Sequence, residues 1–475
     1  MNIVTIIWIA LPFLVGFGIY LLPKLARALA LSVALISTSY GFWQIVAPAD
    51  LTLELIDRFG VTLMVDSLSG FFIFTNGLVT AAVVLYCWRN GKSAFFYTQA
   101  IILHGSVNSV FICADFISVY VALEVIGVAA FLLIAYPRSD RSIWVGLRYL
   151  FVSNTAMLFY LIGAVLVYQA NHSFGFEGIR TAPVEAVALL FVGLLTKGGI
   201  FVSGLWLPLT HSESDTPVSA LLSGVVVKTG IFPLVRCALM VPEIDPVVRL
   251  FGVGTALLGV GYAVFEKDTK RMLAFHTVSQ LGFVLAAPEV GGFYALTHGL
   301  VKSALFLNAG NLPSRNFKTL QKTPIATPIW IALVIASFSI SGFPLLSGFG
   351  AKVLTMKNLM PWQVIAMNIA ALGTAISFAK FIFLPRGGEG QPKPGFWPAM
   401  VILLGGLFLA NGAYYEAYTL ENTIKPLATI ALGWLAYLVI FRQLSIKLPR
   451  AVERIEHLIG VMGLVLVLLF GMVLA

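Results

Sequence analysis

The chain has 475 residues, of which 59% are hydrophobic and 11% are charged, and its formal net charge is +9. Its mean hydropathy of +0.94 excludes a soluble globular protein and indicates a polytopic membrane protein. The positive charge does not indicate nucleic-acid binding, because the basic residues are scattered through short loops between apolar runs.

Apolar runs recur along the whole chain, and about sixteen of them reach the roughly 17 to 25 residues that a membrane-spanning helix needs. They lie at 3–22, 28–47, 69–88, 95–113, 115–136, 145–169, 186–208, 217–240, 247–265, 271–288, 291–312, 326–356, 362–384, 397–415, 423–441 and 456–474. We therefore predict an all-α polytopic membrane protein with about sixteen transmembrane helices.

The loops between these runs alternate in charge. Basic residues, from Lys24 and Arg27 to Lys447 and Arg450, fall on one set of alternate loops, and the opposite loops carry most of the acidic residues, Asp57 among them. The positive-inside rule then places both termini on the outer face of the membrane. We expect a bacterial inner membrane, with a thylakoid membrane as the alternative. The basic exceptions on the outer loops are Arg58, Arg180 and Arg249.

Two of the runs are interrupted, and each contains a lysine. Lys197 precedes a break at residues 206–208, and Lys352 follows a second break at residues 341–348. Paired interrupted helices indicate inverted repeats with an ion site at their interface, because unwound backbone at membrane depth is tolerated only beside protein or a water-filled cavity. We predict two inverted five-helix repeats, helices 4–8 and 9–13, with broken helices 7 and 12.

These repeats divide the chain into four parts. The Gly-rich stretch 387–396 is predicted to be a flexible link between the second repeat and the C-terminal helices. The parts are 1–94 for N-terminal helices 1–3, 95–240 for the first inverted repeat, 247–386 for the second inverted repeat, and 397–475 for the C-terminal helices.

Several ionisable residues lie inside runs where hydrocarbon is expected. A charged side chain at bilayer depth costs about 3 kcal/mol on insertion scales, so such a residue normally faces a protein interior or a water-filled cavity and marks an ion path. The residues predicted to carry protons are Glu124, Lys197, Lys228, His298, Lys302 and Lys352.

Glu124 lies in the middle of its run, so it cannot reach the membrane surface and is expected to pair with Lys197. The pair could alternate between a bonded, ionised state and a separated state in which Lys197 has lost its proton, whereas a static ion pair is the structural alternative. Lys228 lies in a series of small residues at 223–230, which permit close helix contact and a local water pocket.

His298 and Lys302 are four residues apart, so they share one helix face, and Tyr294 extends that face by one turn. A histidine beside a lysine along one stripe suits a proton wire, because both can change protonation near neutral pH. These three residues therefore form one candidate segment of a proton path.

Other histidines are weaker candidates. His276 begins a polar seam with Thr277 and Gln280, and His211 lies in the loop that follows the first break. For these two, as for His104, a hydrogen-bonded role in the core or in a loop is at least as well supported as proton transfer. The secondary candidates for the path are His276, His211 and Tyr294.

The chain lacks the sequence motifs of common enzyme sites. It has no phosphate-binding loop, no dinucleotide fingerprint after a strand, no Ser-His-Asp set and no cluster of metal ligands. We therefore predict no cofactor and no bound metal. A sodium site is not visible either, because the apolar runs offer one secure carboxylate, Glu124, and a hard cation needs several oxygen ligands.

A set of motifs in a fixed order resembles a known family. The motifs are Trp206-Leu-Pro208 with His211, Val227-Lys-Thr-Gly230, the stretch 268–282, His298-Gly-Leu-Val-Lys302 and the stretch 341–352. Together they resemble the proton-translocating, antiporter-like subunits shared by respiratory complex I, membrane-bound hydrogenases and Mrp-type cation/proton antiporters. The resemblance covers about residues 60 to 385.

This resemblance implies a fold of fourteen core helices with two inverted repeats and discontinuous helices 7 and 12. It assigns the family's functional positions to the six residues already singled out, from Glu124 to Lys352. The histidine at position 276 resembles the residue at this position in the D-type subunit of Mrp antiporters. Two departures are Ser214-Asp215, where the family usually has Ala-Pro, and the absence of a long lateral helix after the last run.

Three functions follow as hypotheses. The first is a proton-conducting subunit of a multisubunit Mrp-type antiporter, which exchanges protons for a monovalent cation, expected to be sodium, beside other membrane subunits and lipids. The second is a proton-pumping membrane-arm subunit of a complex I-like NAD(P)H or ferredoxin:quinone oxidoreductase or of a membrane-bound hydrogenase. The third is a structural scaffold without transport. The chain would be part of an enzyme only in the second case.

Overall fold

The computed structural model describes residues 2–56, 60–444, 446, 448–450 and 453–474. The orientation predictions on Asp57, Arg58 and Lys447 lie outside these residues.

The described chain is mostly helical. Its α-helices are α1 (Asn2–Leu21), α2 (Ala26–Val46), α3 (Ser67–Cys87), α4 (Ala94–Val110), α5 (Phe116–Ile134), α6 (Asp140–Asn171), α7 (Val184–Lys197), α8 (Leu207–Glu213), α9 (Thr216–Leu221), α10 (Lys228–Met240), α11 (Asp245–Phe265), α12 (Thr269–Ala286), α13 (Gly291–Ala309), α14 (Phe317–Leu320), α15 (Thr327–Ser341), α16 (Ser347–Lys357), α17 (Val364–Ile382), α18 (Phe396–Asn411), α19 (Leu420–Ala436) and α20 (Ile455–Leu474).

Four short strands lie in the loops. Strand β1 (Leu51–Glu54) pairs antiparallel with β2 (Thr62–Val65), and β3 (Ile325–Ala326) pairs parallel with β4 (Arg386–Gly388). The second pairing holds part of the stretch predicted to be a flexible link. The link is also anchored by the Lys393 backbone N–H, which donates to Asn311 Oδ1 at 2.9 Å.

A helix lies in each of the sixteen predicted runs. Within the described residues, twelve helices are long and apolar enough to cross a membrane, or thirteen if the bent pair Val184–Lys197 and Val202–Glu213 counts as one span. Helices α4, α12 and α15 are too short or too polar for that test, so the count of sixteen and the division into inverted repeats stay predictions.

The C-terminal helices are integrated with the rest of the bundle. Helix α18 packs against α3 and α13, and α19 packs against α17. Helix α20 packs against α6 and α7. Glu453, just before α20, accepts two hydrogen bonds from Arg271 at 2.7 and 3.0 Å, which link the start of α20 to α12.

Helices α1–α4 enclose a polar cluster that explains His104. The His104 ring contacts Ser37 Oγ at 2.8 Å and Thr80 Oγ1 at 3.0 Å, and Asn108 Nδ2 lies 3.2 Å from its Nε2. All four side chains are buried. Because both ring nitrogens have partners within this cluster, the geometry favours the hydrogen-bonded core role for His104 over proton transfer.

Two basic exceptions on the predicted outer face have local partners. Arg180 donates to the Met240 carbonyl at 2.6 Å. Arg249 is only 1% exposed and donates to both Asp245 carboxylate oxygens, at 2.9 and 2.7 Å. Specific contacts therefore hold both arginines in place, and the orientation of the chain stays a prediction.

Asp66 is the N-cap of α3 and joins it to α10. Its carboxylate accepts from the Ser69 backbone N–H at 2.8 Å and from Arg236 Nη2 at 3.0 Å. Burial would raise the pKa of Asp66, but the Arg236 guanidinium and the Ser69 N–H outweigh burial and lower the pKa below its usual value. The ionised form therefore stabilises the fold.

We expect Asp66→Asn to lower the melting temperature of the detergent-solubilised protein at neutral pH, because asparagine keeps the cap but removes the charge opposite Arg236. A lowered folded-state pKa contributes stability that is complete above the unfolded value, about 3.9, and is lost as the pH falls through the folded value. The difference in melting temperature between Asp66→Asn and the wild type should therefore become smaller as the pH falls through the folded-state pKa of Asp66. An equal difference at every pH would contradict this assignment.

Candidate functional site: buried amines between two helix breaks

The first helix break follows Lys197. Helix α7 ends at Lys197, Gly199 and Phe201 have positive φ values of +73° and +50°, and the chain bends by 43° into the segment 202–213. Two groups near the break have partners: the Phe201 N–H donates to Thr255 Oγ1 at 3.0 Å, and Trp206 Nε1 donates to the Thr196 carbonyl at 2.7 Å. The break is thus satisfied by protein, as irregular backbone at membrane depth requires.

The Lys197 amine points into the protein between α5 and α6. It donates to the Leu123 carbonyl at 3.0 Å and to Ser153 Oγ at 2.5 Å. No carboxylate oxygen of Glu124 comes within 4.0 Å of it in the described structure. This geometry corresponds to the separated arrangement of the predicted pair, and Glu124 Oε1 is buried without a hydrogen-bond partner among the described residues.

Lys228 is positioned by a π-helical turn that separates α9 from α10. Residues Leu222–Val226 form this wider turn, and the Lys228 amine folds back to donate to the Gly224 carbonyl and, at 3.5 Å, to the Ser223 carbonyl. The side chain is completely buried. The amine therefore stays inside the bundle and is satisfied by backbone carbonyls.

Two glycines bring this turn against α13. A Cβ atom at Gly299 would lie 2.3 Å from Thr75 Cγ2, 3.0 Å from the Gly224 carbonyl oxygen and 3.6 Å from Lys228 Nζ. A Cβ at Gly224 would lie 2.3 Å from Ser303 Oγ. Neither position has room for a side chain, so the π-helical turn packs closely on α13. The Lys228 amine therefore lies directly beside the helix that carries His298 and Lys302.

Lys302 reaches from α13 to α12. Its amine donates to the Leu273 carbonyl and lies 5.1 Å from the Phe306 ring centroid. The same carbonyl accepts from Thr277 Oγ1 at 3.2 Å, and Thr277 Oγ1 lies 2.7 Å from Ser223 Oγ. Polar groups thus extend from the Lys228 turn to the Lys302 amine.

His298 and Lys352 line one small cavity of about 10 Å³, together with Gln280, Tyr294, Thr297 and Ser339. This volume is at the lower limit for one water molecule. The Tyr294 hydroxyl donates to Gln280 Oε1 at 2.7 Å. The ring nitrogens of His298 have no hydrogen-bond partner among the described residues, so they are available to a group in this cavity.

The second break follows α15, where Gly342 has φ of +87° and Leu345 has φ of +79°. The Lys352 amine, on α16, donates at 3.3 Å to the Ser341 carbonyl, which the break leaves without a helical partner. Gly348 lets α16 approach α15, because a Cβ there would lie 1.8 Å from the Ser339 carbonyl oxygen. Each break thus presents a lysine at the end of the preceding helix, where the helix dipole favours a cation.

Lys352 also lines a second and larger cavity. It has a volume of 350 Å³ and extends from Ser341 and Lys352 to the polar residues Asn368, Glu421 and Lys425. The side chains of Glu421 and Lys425 are 73% exposed, so this cavity leads toward the surface where α16 ends and α19 begins. It gives Lys352 a polar route out of the bundle.

Two of the secondary candidates lie beside the row of amines. The His276 ring packs on Phe378 with 4.6 Å between ring centroids. His211 is buried between Trp206 and Phe306, and its ring centroid lies 6.1 Å from that of Trp206 and 6.3 Å from that of Phe306. The ring nitrogens of His276 have no hydrogen-bond partner within the described chain. The part of His276 and His211 in a proton path stays a prediction.

Several partners are invisible to reasoning from the sequence. Ser153 on α6 and the Leu123 carbonyl hold Lys197, and Thr374 on α17 lies 3.4 Å from Gln280 Nε2. The sequence marks Thr277 and Ser223 only as members of a polar seam and of a small-residue face. No local pattern specifies these contacts, because each joins two helices that are distant in the chain.

The described residues contain no group of three or more His, Cys, Asp or Glu side chains that could hold a metal ion. The row therefore consists of ionisable groups bonded mainly to carbonyls and hydroxyls. Chemically it can accept, hold and release protons along a line through the bundle.

Comparisons with known proteins identify similar chains. The family model described as "NADH:quinone oxidoreductase/Mrp antiporter, TM" matches residues 113–377, a segment that contains all six primary site residues. The N-type subunit of the NADH-quinone oxidoreductase of Desulforudis audaxviator is 28% identical over 381 residues, which cover 71% of this chain and 74% of the relative. The D-type subunit of the Na(+)/H(+) antiporter of Alkalihalophilus pseudofirmus is 25% identical over 434 residues, which cover 82% of this chain and 88% of the relative.

Among solved structures, a chain in the Mrp complex from Dietzia sp. superposes with a TM-score of 0.78 at 23% identity. The superposition covers 97% of this chain and 59% of that chain. This similarity shows that the two chains share a fold.

Proposed function

Since this chain belongs to the NADH:quinone oxidoreductase/Mrp antiporter transmembrane family, we propose that it is the proton-conducting subunit of a multisubunit Mrp-type antiporter. It is an integral, multi-pass membrane protein of the antiporter-like class. In this proposal it moves protons in exchange for a monovalent cation, sodium, in a bacterial inner membrane with both termini on the outer face.

The observation that carries the proposal is the burial of four lysine amines without counter-ions. Lys197, Lys228, Lys302 and Lys352 are 4%, 0%, 0% and 6% exposed. In the described part of the chain, no carboxylate oxygen lies within 4.0 Å of any of these amines. Buried charges without ionic partners are costly to keep, so a structural role alone does not account for a row of them.

The positions of these groups suggest an order of proton transfer. Glu124 controls the Lys197 amine by approaching or leaving it, Lys228 and Lys302 occupy the centre, and His298 leads to Lys352. The 350 Å³ cavity beside Lys352 is then the opening to the predicted outer face. Each step exchanges a proton between neighbouring groups, so no cofactor is needed.

Sodium and the other subunits complete the proposal. The described chain offers no cluster of acidic ligands for a cation, so we place the sodium route in a partner subunit. The similarity to the D-type subunit of a Na(+)/H(+) antiporter supports membrane-subunit partners of this kind.

A redox-driven complex is the second candidate, and a specific observation favours it. The N-type subunit of an NADH-quinone oxidoreductase is similar to this chain at 28% identity. The row of amines would work in the same way there, but the energy would come from electron transfer in partner subunits. The energy source therefore distinguishes the two candidates.

The two candidates are separated by flux in inverted membrane vesicles that contain the assembled complex. We expect a sodium gradient to drive proton movement without any electron donor, and we expect this movement to disappear in vesicles that carry Lys228→Gln. Proton movement that requires NADH, NADPH or reduced ferredoxin and ignores sodium would support the redox-driven complex and contradict the antiporter.

A further inference from the structure

We propose that the Ser223 and Thr277 hydroxyls form the proton bridge between the Lys228 and Lys302 amines, an inference that rests on the proposed function. Both hydroxyls are completely buried, and their oxygens are 2.7 Å apart. They join the π turn before α10 to the middle of α12, and each of these elements contacts one of the two amines.

Each end of the bridge meets one lysine. The Lys228 amine donates to the backbone carbonyl of Ser223 itself, at 3.5 Å. The proposed transfer requires the amine to turn from this carbonyl to the hydroxyl of the same residue. At the other end, Thr277 Oγ1 and the Lys302 amine donate to the same acceptor, the Leu273 carbonyl. The two donors on one carbonyl are therefore neighbours.

The hydrogen-bond inventory gives the bridge a direction. A hydroxyl has one proton to donate, and Thr277 uses its proton on the Leu273 carbonyl. The Ser223 hydroxyl must then donate to Thr277 Oγ1, although the oxygen positions alone allow either direction. The resting bridge thus points from Lys228 toward Lys302.

Transfer along the bridge balances protons without creating a net charge. An N–H bond of the Lys228 ammonium breaks as an O–H bond forms on Ser223, and the original Ser223 O–H bond breaks as one forms on Thr277. The original Thr277 O–H first turns from the Leu273 carbonyl to the lone pair of the neutral Lys302 amine, and this O–H bond then breaks as an N–H bond forms on Lys302. Lys228 ends neutral and Lys302 ends as an ammonium. Both hydroxyls then rotate back, and this rotation resets the bridge for the next proton.

The π turn explains why this bridge exists. In a π-helical turn the backbone hydrogen bonds span five residues instead of four, which shifts the side chains on either side of the turn. The turn at Leu222–Val226 places the Ser223 hydroxyl toward α12, while the backbone carbonyls of Ser223 and Gly224 face the Lys228 amine. Single π turns of this kind occur frequently at functional sites.

Proton flux through the assembled complex in vesicles tests the bridge. We expect Ser223→Ala and Thr277→Val each to slow flux about tenfold or more, because each removes a proton-carrying hydroxyl. Thr277→Ser should keep flux near the wild-type rate, because it restores the hydroxyl. The double variant should be no slower than either single variant, since one missing link already interrupts the bridge.

Ser279→Ala is the matched control. Ser279 is buried on the same helix, but its hydroxyl donates to the Ala256 carbonyl on α11 at 3.0 Å and faces away from the bridge. Its removal should leave flux unchanged. Valine has nearly the shape of threonine, and Ser223→Ala provides an independent variant if Thr277→Val prevents assembly.

Two results would count against these ideas in different ways. If Ser223→Ala and Thr277→Val conduct as fast as Ser279→Ala while Lys228→Gln blocks flux, the hydroxyl bridge is wrong and the proposed function stands. If Lys228→Gln also conducts at the wild-type rate, the proposed function itself is wrong.

Discussion

Replacing Lys228 with glutamine is expected to reduce proton flux by about a hundredfold or more, the scale on which a positioned proton-transfer group contributes. Glutamine can still donate a hydrogen bond toward the Gly224 carbonyl, but it cannot take up and release a proton at working pH. The measurement is the initial rate of proton movement in vesicles that contain equal amounts of assembled complex. Because Lys228 lies between the first break and the Lys302 segment, its loss should interrupt the row at its centre.

Lys380→Gln provides the control for loss of a buried amine. A basic residue at the end of an apolar run is expected at the membrane interface, but the structure buries Lys380 as a cap on the end of α11. Its amine donates only to backbone carbonyls, those of Ala263 at 3.0 Å and Glu266 at 2.9 Å. Its replacement should lower the melting temperature and keep the flux. A Lys228→Gln complex that assembles and conducts at the Lys380→Gln rate would refute a relay role.

Arg249→Met is expected to destabilise the protein by about 1 to 3 kcal/mol, the usual cost of leaving buried hydrogen-bond acceptors without a donor. The guanidinium is 1% exposed and joins four segments through Asp245, the Ala286 carbonyl at 2.9 Å, the Asn358 carbonyl at 3.0 Å and Glu289. Methionine would fill part of the volume but would leave these acceptors without a donor. Thermal unfolding in detergent, together with the yield of assembled protein, measures the effect.

Arg141→Met is the matched control for this prediction. Arg141 also pairs with a carboxylate, Glu213 at 3.1 Å, but its side chain is 56% exposed. An exposed pair contributes about 0 to 1 kcal/mol, so the melting temperature should change little. If Arg249→Met and Arg141→Met unfold at the same temperature, the proposed role of Arg249 in holding these segments together is wrong.

The positions of the helices and of the second break could be predicted from the sequence because their causes are local. Long apolar runs specify spans, and the Gly and Pro residues at 341–348 specify the second break. The sequence predicts the first break at 206–208, but in the structure α7 ends at Lys197 and the break lies at 198–201, whereas residues 207 and 208 begin α8. The buried lysines were identifiable for the same reason, since an amine inside an apolar run is costly wherever the run packs.

The partners of those lysines could not be predicted in the same way. The sequence predicts that Lys197 pairs with Glu124, and in the structure its amine instead bonds Ser153 and the Leu123 carbonyl. Either arrangement satisfies the amine, and the choice depends on how α5, α6 and α7 cross. The sequence around Glu124 does not specify how these three helices cross.

From the sequence alone came the membrane class, the order of the apolar runs, the presence of two breaks and the identity of the ionisable residues within these runs. Only the tertiary structure decided that the Ser223 hydroxyl contacts the Thr277 hydroxyl, that Arg249 binds groups from four segments, and that α20 packs against α7. The physical reason is range: apolar length and backbone breaks act on neighbouring residues. The Ser223–Thr277 and Arg249–Asn358 contacts, in contrast, join residues 54 and 109 positions apart and exist only once the helices have packed.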